Sequence, residues 1–472
     1  MFLPFFRKSF HLTCSVLLLS TIPSFGQQGA QLYKQYCAGC HGANLEGNSG
    51  SALIKKNWLH GSSGDDIFKT IKQGVPKTEM TGWGKVLKDE EIKSIVNFII
   101  SAQNNKPNAR KTIPATVMTK DYTLNIEQLV TEDLQTPWGI EFVDKNKALI
   151  TEKPGRLRWL VNGKLDPEPI RGIPQPYLLS STAGLMDIAL DPKYASNGRV
   201  YLAYSHTNGD NKDKSAKGMT RIIRGKVKGH DWVEQQTLFE VADSLKLSGG
   251  DRWGCRFLFD KLGFLYFSIG DMGRAMASQD LHVPTGKVFR INADGSIPKS
   301  NPFVNDPKAL PAIYSIGNRN VEGMAQHPVT GVIWATEHGP RGGDELNILK
   351  KGANYGWPVI TYGIDYSGAK VSDKDHQEGM EQPVTQWTPS IAVCPIEFCT
   401  SPLFPKWKNN LFVGALAFEE LHRLVLDKEQ IVSRELIFKG YGRVRDIKTG
   451  PDGAVYVLLN KPDMLIRIRP GQ

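Results

Sequence analysis

Beyond its first residues the chain has no apolar run long enough to cross a bilayer, which takes about 20 consecutive apolar residues. It also lacks an arginine-rich helix or any nucleic-acid-binding motif. The net charge of +10 is spread through loops, so it suits an acidic redox partner or an anionic envelope surface, with no nucleic acid expected. Long helical periodicity is largely absent after residue 121, which turns the reading of the larger part toward strands. What remains is ordinary for a globular protein. With 40% hydrophobic and 22% charged residues there is material for a large core, and 472 residues imply more than one domain.

The N-terminus carries Arg7 and Lys8 before an apolar run from Leu12 to Leu19, then Ser24-Phe25-Gly26. Small residues stand at the two positions a signal peptidase reads, so residues 1–26 are expected to be a cleaved signal peptide and the mature protein periplasmic or secreted. Cys14 lies inside the run and not at its end, which argues against a lipoprotein site.

Cys37-Ala38-Gly39-Cys40-His41 is the c-type haem attachment signature. Two thiols bond the porphyrin covalently and the following imidazole reaches the iron. Met80 is the single methionine between residues 27 and 110, and histidine plus methionine ligation raises the haem potential and suits an electron relay. His60 is the rival sixth ligand. Gly29 to Tyr36 reads as a helix leading into this turn, and Asp89 to Ser101 as an amphipathic helix with Ile92, Ile95, Val96 and Ile99 on one face. Over residues 28–103 the chain resembles a small class I cytochrome c. The domain is placed at 27–103, followed by a polar, proline-containing linker at 104–121. Of the remaining cysteines, Cys394 and Cys399 read either as a small disulfide loop or as two buried thiols.

From residue 122 to 472 an apolar strand, a turn with Asp or His plus Pro or Gly, and a second apolar strand recur six times, beginning near Trp138, Met186, Phe257, Gly323, Ile391 and Ile447. Radial repetition of small sheets limits exposed edges, so a six-bladed β-propeller is the expected architecture, with a two-sheet sandwich the weaker alternative. The fold class is therefore multidomain, a small all-α cytochrome c domain followed by an all-β propeller.

Four strings carry a second resemblance: Ile316 to Gly323, Glu337 to Asn347, Asn354 to Pro358, and Arg443-Val444-Arg445-Asp446. In this order they resemble the soluble quinoprotein aldose dehydrogenases of the glucose/sorbosone dehydrogenase family, over residues 123–470. The resemblance implies a six-bladed propeller, pyrroloquinoline quinone (PQQ) as cofactor, and a calcium ion ligated by the carbonyls of Gly339 and Pro340. Arginines pair carboxylates through a rigid fork, so Arg319, Arg443 and Arg445 would suit the tricarboxylate, with Asn320 completing the contacts.

Three positions depart from the family pattern. Arg252 stands where the catalytic histidine belongs, Thr182 where a glutamine is usual, and Ala417 where a lysine is usual. A permanently protonated guanidinium takes no proton from a sugar hydroxyl. Two readings follow. In one, the protein oxidises an aldose or other alcohol with PQQ, Asp251 substituting as base, and passes electrons singly through the haem to an external acceptor protein. In the other, the propeller has lost catalysis and serves as a binding or docking module, with Arg252 holding an anion or pairing with Asp251. Asp187 and His338 are the next candidate bases.

Overall fold

The computed structural model describes residues 25–42, 45, 47, 50–54, 58, 60–76, 80–104, 112–180 and 182–471. Residues 1–24 of the expected signal peptide and 105–111 of the expected linker lie outside the described residues.

The helical part comprises α1 (Phe25–Tyr36), α2 (Ala38–His41), α3 (Gly64–Gln73) and α4 (Asp89–Asn104). A capping box starts α3: the Ser63 hydroxyl accepts from the Asp66 N–H and the Asp66 carboxylate accepts from the Ser63 N–H. Ile92, Ile95, Val96 and Ile99 of α4 are all buried, as the 3.6-residue period requires. Burying each stabilises the fold by about 1.5–3 kcal/mol. The α1 and α4 backbones cross at Gly29, where a Cβ would stand 2.1 Å from the Ser94 carbonyl oxygen.

The remainder is a ring of six antiparallel sheets. The innermost strands, in chain order, are Pro137–Phe142, Leu185–Leu190, Phe257–Phe259, Val321–Gln326, Val393–Phe398 and Arg443–Thr449. Each coincides with one of the six repeats seen in the sequence. Middle strands such as Val455–Asn460 are buried throughout, because each blade is sandwiched between two others, and they read as continuous apolar runs. The sixth blade closes the ring: Met464–Pro470 pairs with Thr123–Val130, setting Ile468 opposite Ile126. Thr116–Met118 then forms the outermost strand of that blade, inside the stretch read from sequence as linker. Its side chains are exposed or half-exposed, so no apolar alternation announced it.

Arg256 plugs the centre of the ring and contacts every other blade. It donates to the carbonyls of Trp138 (3.5 Å), Glu322 (2.8 Å) and Arg445, lies 3.5 Å from the Cys394 sulfur, and pairs with Asp187 (3.3 Å) and Asp446 (3.6 Å). Cys394 and Cys399 are two free, buried thiols. Five residues apart along an extended segment, they fall on opposite faces: Cys394 looks onto Arg256, while Cys399 packs into the apolar cluster between blades five and six.

Candidate functional site

The turn after α1 organises the first half of the site. The Cys37 N–H donates to Tyr33 O (2.8 Å) and the His41 N–H to Cys37 O (2.9 Å), so one helical turn gathers both thiols and the imidazole. Burial pushes the Cys37 thiol up to about 12, with the nearby Arg341 charge acting in the opposite sense. His41 Nδ1 lies 2.7 Å from Ser51 O. That contact assigns the ring proton to Nδ1 and leaves the Nε2 lone pair for a metal. Burial lowers the His41 pKa and favours the neutral ring. Gly50 makes room for it, since a Cβ there would stand 2.9 Å from His41 Cε1. Met80 packs into the same apolar cluster as Cys37 and Ala38, its carbonyl accepting from the Val75 N–H (2.7 Å). His60 is exposed.

The second half is built from loops of the propeller. Arg252 adopts a left-handed backbone, φ 67°. Its N–H donates to the Thr182 hydroxyl (2.8 Å), and Thr182 lies 3.5 Å from the Asp251 carboxylate. The Arg252 guanidinium is not paired with Asp251. It donates through Nε to Asp271 at 2.6 Å. Asp271 is fully buried and also accepts from the Trp357 indole N–H (2.9 Å) and the Gly273 N–H (3.0 Å). That carboxylate was missed from sequence, and Trp357 lay unassigned inside a quoted motif. An acid placed two residues after the buried strand Phe264–Ile269 was the available signal.

Arg319 stacks over Trp357 (5.3 Å) and donates through Nη1 to the carbonyls of Gly339 (2.7 Å) and His338 (3.1 Å). A cation at the Gly339 carbonyl would compete with that guanidinium. Asn320 donates to Glu322 (2.8 Å), and Arg445 reaches the same carboxylate (3.2 Å) while lying over the Trp138 ring (4.0 Å). Arg443 donates to Leu416 O (3.2 Å); burial first, then the Arg445 charge, lower its pKa to about 10. Lys153 is lowered by burial and then by Arg445. Arg319 Nε, Asn320 Oδ1 and His338 Nε2 are buried without a hydrogen-bond partner among the described residues. Buried polar atoms are normally satisfied, so donors and acceptors left over beside mutually repelling cations are the chemistry of a site for a polar anion.

Ala417 shares a narrow cleft with Leu416, Glu419, Arg443 and Lys461, and the far wall of that cleft is Gly42 and Gly47 of the helical part. Lys461, 44 residues beyond Ala417 in the chain, therefore stands beside Ala417 in this cleft. No local signal could have revealed it. Asp187, a candidate base from sequence, is committed to the central hub, accepting from the Phe257 N–H (2.7 Å) and pairing with Arg256. Further contacts join the two parts: the Thr81 hydroxyl donates to Tyr366 O (3.1 Å), and the Lys34 ammonium lies 5.0 Å from the Phe418 ring centre.

A cytochrome c-type helical domain set against the loop-lined mouth of a six-bladed propeller defines a two-domain oxidoreductase architecture. The family model "Glucose / Sorbosone dehydrogenase" matches residues 134–467, and "Cytochrome C oxidase, cbb3-type, subunit III" matches residues 25–99. The chain belongs to the glucose / sorbosone dehydrogenase family. It is 37% identical to aldose sugar dehydrogenase YliI of Escherichia coli over 353 residues, covering 74% of this chain and 93% of that protein. It is 29% identical to quinoprotein glucose dehydrogenase B of Acinetobacter calcoaceticus, covering 58% and 72%. The crystal structure of the soluble aldose sugar dehydrogenase from Escherichia coli in the apo-form superposes with a TM-score of 0.68 at 35% identity, covering 74% of this chain and all of that one. No helix among the described residues is long and apolar enough to cross a membrane.

Proposed function

We propose that the protein is a periplasmic quinohaemoprotein that oxidises an aldose or related alcohol and passes the electrons through a covalently bound haem to an external acceptor protein. The observation that carries this reading is the apposition of the two halves. The turn holding Cys37, Cys40 and His41 belongs to the face that covers the propeller's arginine-lined mouth, with Gly42 sharing a cleft with Arg443.

Cys37 and Cys40 would hold the porphyrin, with His41 Nε2 and the Met80 sulfur as axial ligands. The donors fit: a neutral imidazole with its proton held by Ser51 O, and a thioether in the same apolar cluster. Met80→Ala is expected to abolish the weak near-infrared sulfur-to-iron band and lower the potential. An unchanged spectrum would assign the sixth ligand elsewhere.

Arg319, Asn320, Arg443 and Arg445 would hold the carboxylates of PQQ. Calcium is assigned to the carbonyls of Gly339 and Pro340, where it requires Arg319 to release Gly339. Bound there, PQQ would supply a two-electron, two-proton acceptor and the haem a one-electron carrier. Around PQQ the chain's own groups orient the sugar and take its hydroxyl proton. Asp251, beside Thr182 at the loop carrying Arg252, is the carboxylate assigned to accept that proton. His338 is the reserve, since burial lowers its pKa and its Nε2 has no hydrogen-bond partner among the described residues.

The test adds PQQ and Ca²⁺ to haem-loaded protein and follows haem reduction over a panel of sugars and alcohols. Replacing Arg319, Arg443 or Arg445 is expected to cost about 1.5–3 kcal/mol of PQQ binding, roughly ten- to a hundredfold. Calorimetry that detects no PQQ binding with calcium present overturns the quinoprotein assignment. The second reading, a propeller retained as a docking module, is favoured by one observation. The arginine at the expected base position is locked to Asp271 at 2.6 Å.

A further inference from the structure

Between the haem turn and the loop of Gly339 and Pro340 stands a side chain that reaches from one domain into the other. Arg341 follows Pro340 directly. Its N–H donates to Ile364 O (3.0 Å) and its carbonyl accepts from the Ile364 N–H (3.1 Å), so its base is fixed to the propeller. From there the guanidinium reaches into the helical domain and lies 4.0 Å from the Trp83 ring centre and 4.5 Å from that of Tyr36. Those two rings meet edge to face at 5.7 Å, and the charge occupies the corner between them.

Its Nε and Nη1 are buried with no hydrogen-bond partner, and no acid pairs with it among the described residues. The residue as a whole is half-buried, and drawing part of a guanidinium out of water without a carboxylate is costly. Ring faces offset part of that cost through their quadrupoles, but they leave the charge itself unneutralised. The corner's place in the chain gives this charge its meaning. Tyr36 immediately precedes Cys37, and Trp83 follows Met80 by three residues. Both rings therefore belong to the segments assigned to hold the haem, and the field of Arg341 reaches Cys37 and Cys40.

We propose that Arg341 is a positioning residue that docks the haem domain onto the propeller's cofactor loop and, by its fixed positive charge, raises the haem reduction potential so that electrons run from the propeller to the iron. Reduction adds one electron to ferric iron to give ferrous iron. A fixed positive charge at the site stabilises the more negative product. One residue thus couples docking to driving force, because the haem gains that charge only when the domains are in contact. The proposal rests on the reading that Cys37 and Cys40 carry haem.

The test is a redox titration of the full haem-loaded chain against dyes of known potential, comparing native protein with Arg341→Gln and Arg341→Lys, with haem content measured on each sample. At a fixed ambient potential, Arg341→Gln is expected to lower the ferrous-to-ferric ratio about tenfold, which is about 59 mV for a one-electron couple. Arg341→Lys keeps the charge and should hold the ratio near the native value. A full haem complement with an unmoved ratio in Arg341→Gln overturns the proposal alone, as does an equal drop in both variants. Native chain without covalent haem overturns the haem reading itself. Should Arg341→Gln fail to fold, Tyr36→Leu removes one ring from the opposite side of the contact. A lower ratio there supports the proposal, and an unmoved one rejects it.

Discussion

Arg252→His is expected to raise sugar-driven haem reduction by about 10²- to 10⁴-fold over the native protein, the contribution typical of a positioned general base. Arg252 stays protonated at every accessible pH, and the adjacent Asp271 reinforces this by raising its pKa further once burial has been overcome. An imidazole in its place would find a partner already in position. Asp271 is buried and held by the Trp357 and Gly273 N–H groups, so it can orient a ring nitrogen as it now orients Arg252 Nε at 2.6 Å. The backbone does not oppose the change, because φ of 67° at residue 252 is a conformation that histidine visits more readily than most side chains. The gain should appear as pH rises through the imidazole pKa, where the ring becomes able to accept a proton. Asp251→Asn supplies the contrast. If Asp251 is the substitute base, it removes whatever turnover the native protein has. Native turnover that survives both changes would move the base to His338.

The second large effect concerns stability. Arg256→Met should destabilise the propeller by about 3–5 kcal/mol, measured by denaturant unfolding, because it strands buried charges that the guanidinium now pairs. Asp187 and Asp446 are the charges left behind, at 3.3 and 3.6 Å from Arg256 Nη1. Burial raises the Asp187 pKa from 3.8 to about 6, with Arg256 the largest opposing influence. An acid whose folded pKa is raised favours the folded state below its unfolded pKa, and that stability is lost as pH rises through the folded value. Removing Arg256 raises that pKa again. The variant's deficit should therefore be small near pH 4 and grow as pH rises through 6. Asp187→Asn in the Arg256→Met background should recover part of the loss. A deficit below about 1 kcal/mol at neutral pH would mean that the hub is not what joins the blades.

Much of this architecture was legible because its determinants are close together in the chain. Cys37, Cys40 and His41 form one helical turn, and Ile92 to Ile99 form one helix face. Each blade's inner strands lie on either side of a single turn, so six repeats could be read as six sheets. The expected departure at Arg252 was legible only through the family resemblance. The partner of Arg252 was not legible even so. Pairing with the neighbouring Asp251 was one sequence-level option, and the left-handed turn at residue 252 instead carries the guanidinium to Asp271, 19 residues on.

Adjacent residues thus settled the Cys37–His41 turn and the repeating blades, because those features arise from local spacing and strand period. Closure of the ring decided the rest. It brought Arg256 to Asp187 and Asp446 from separate blades and set Lys461 beside Ala417. Docking of the helical domain then placed Arg341 between Tyr36 and Trp83, a contact joining residues about 260 to 300 positions apart. Such meetings depend on how whole sheets and domains pack, and an isolated arginine carries no mark of the carboxylate or ring that the fold will set against it.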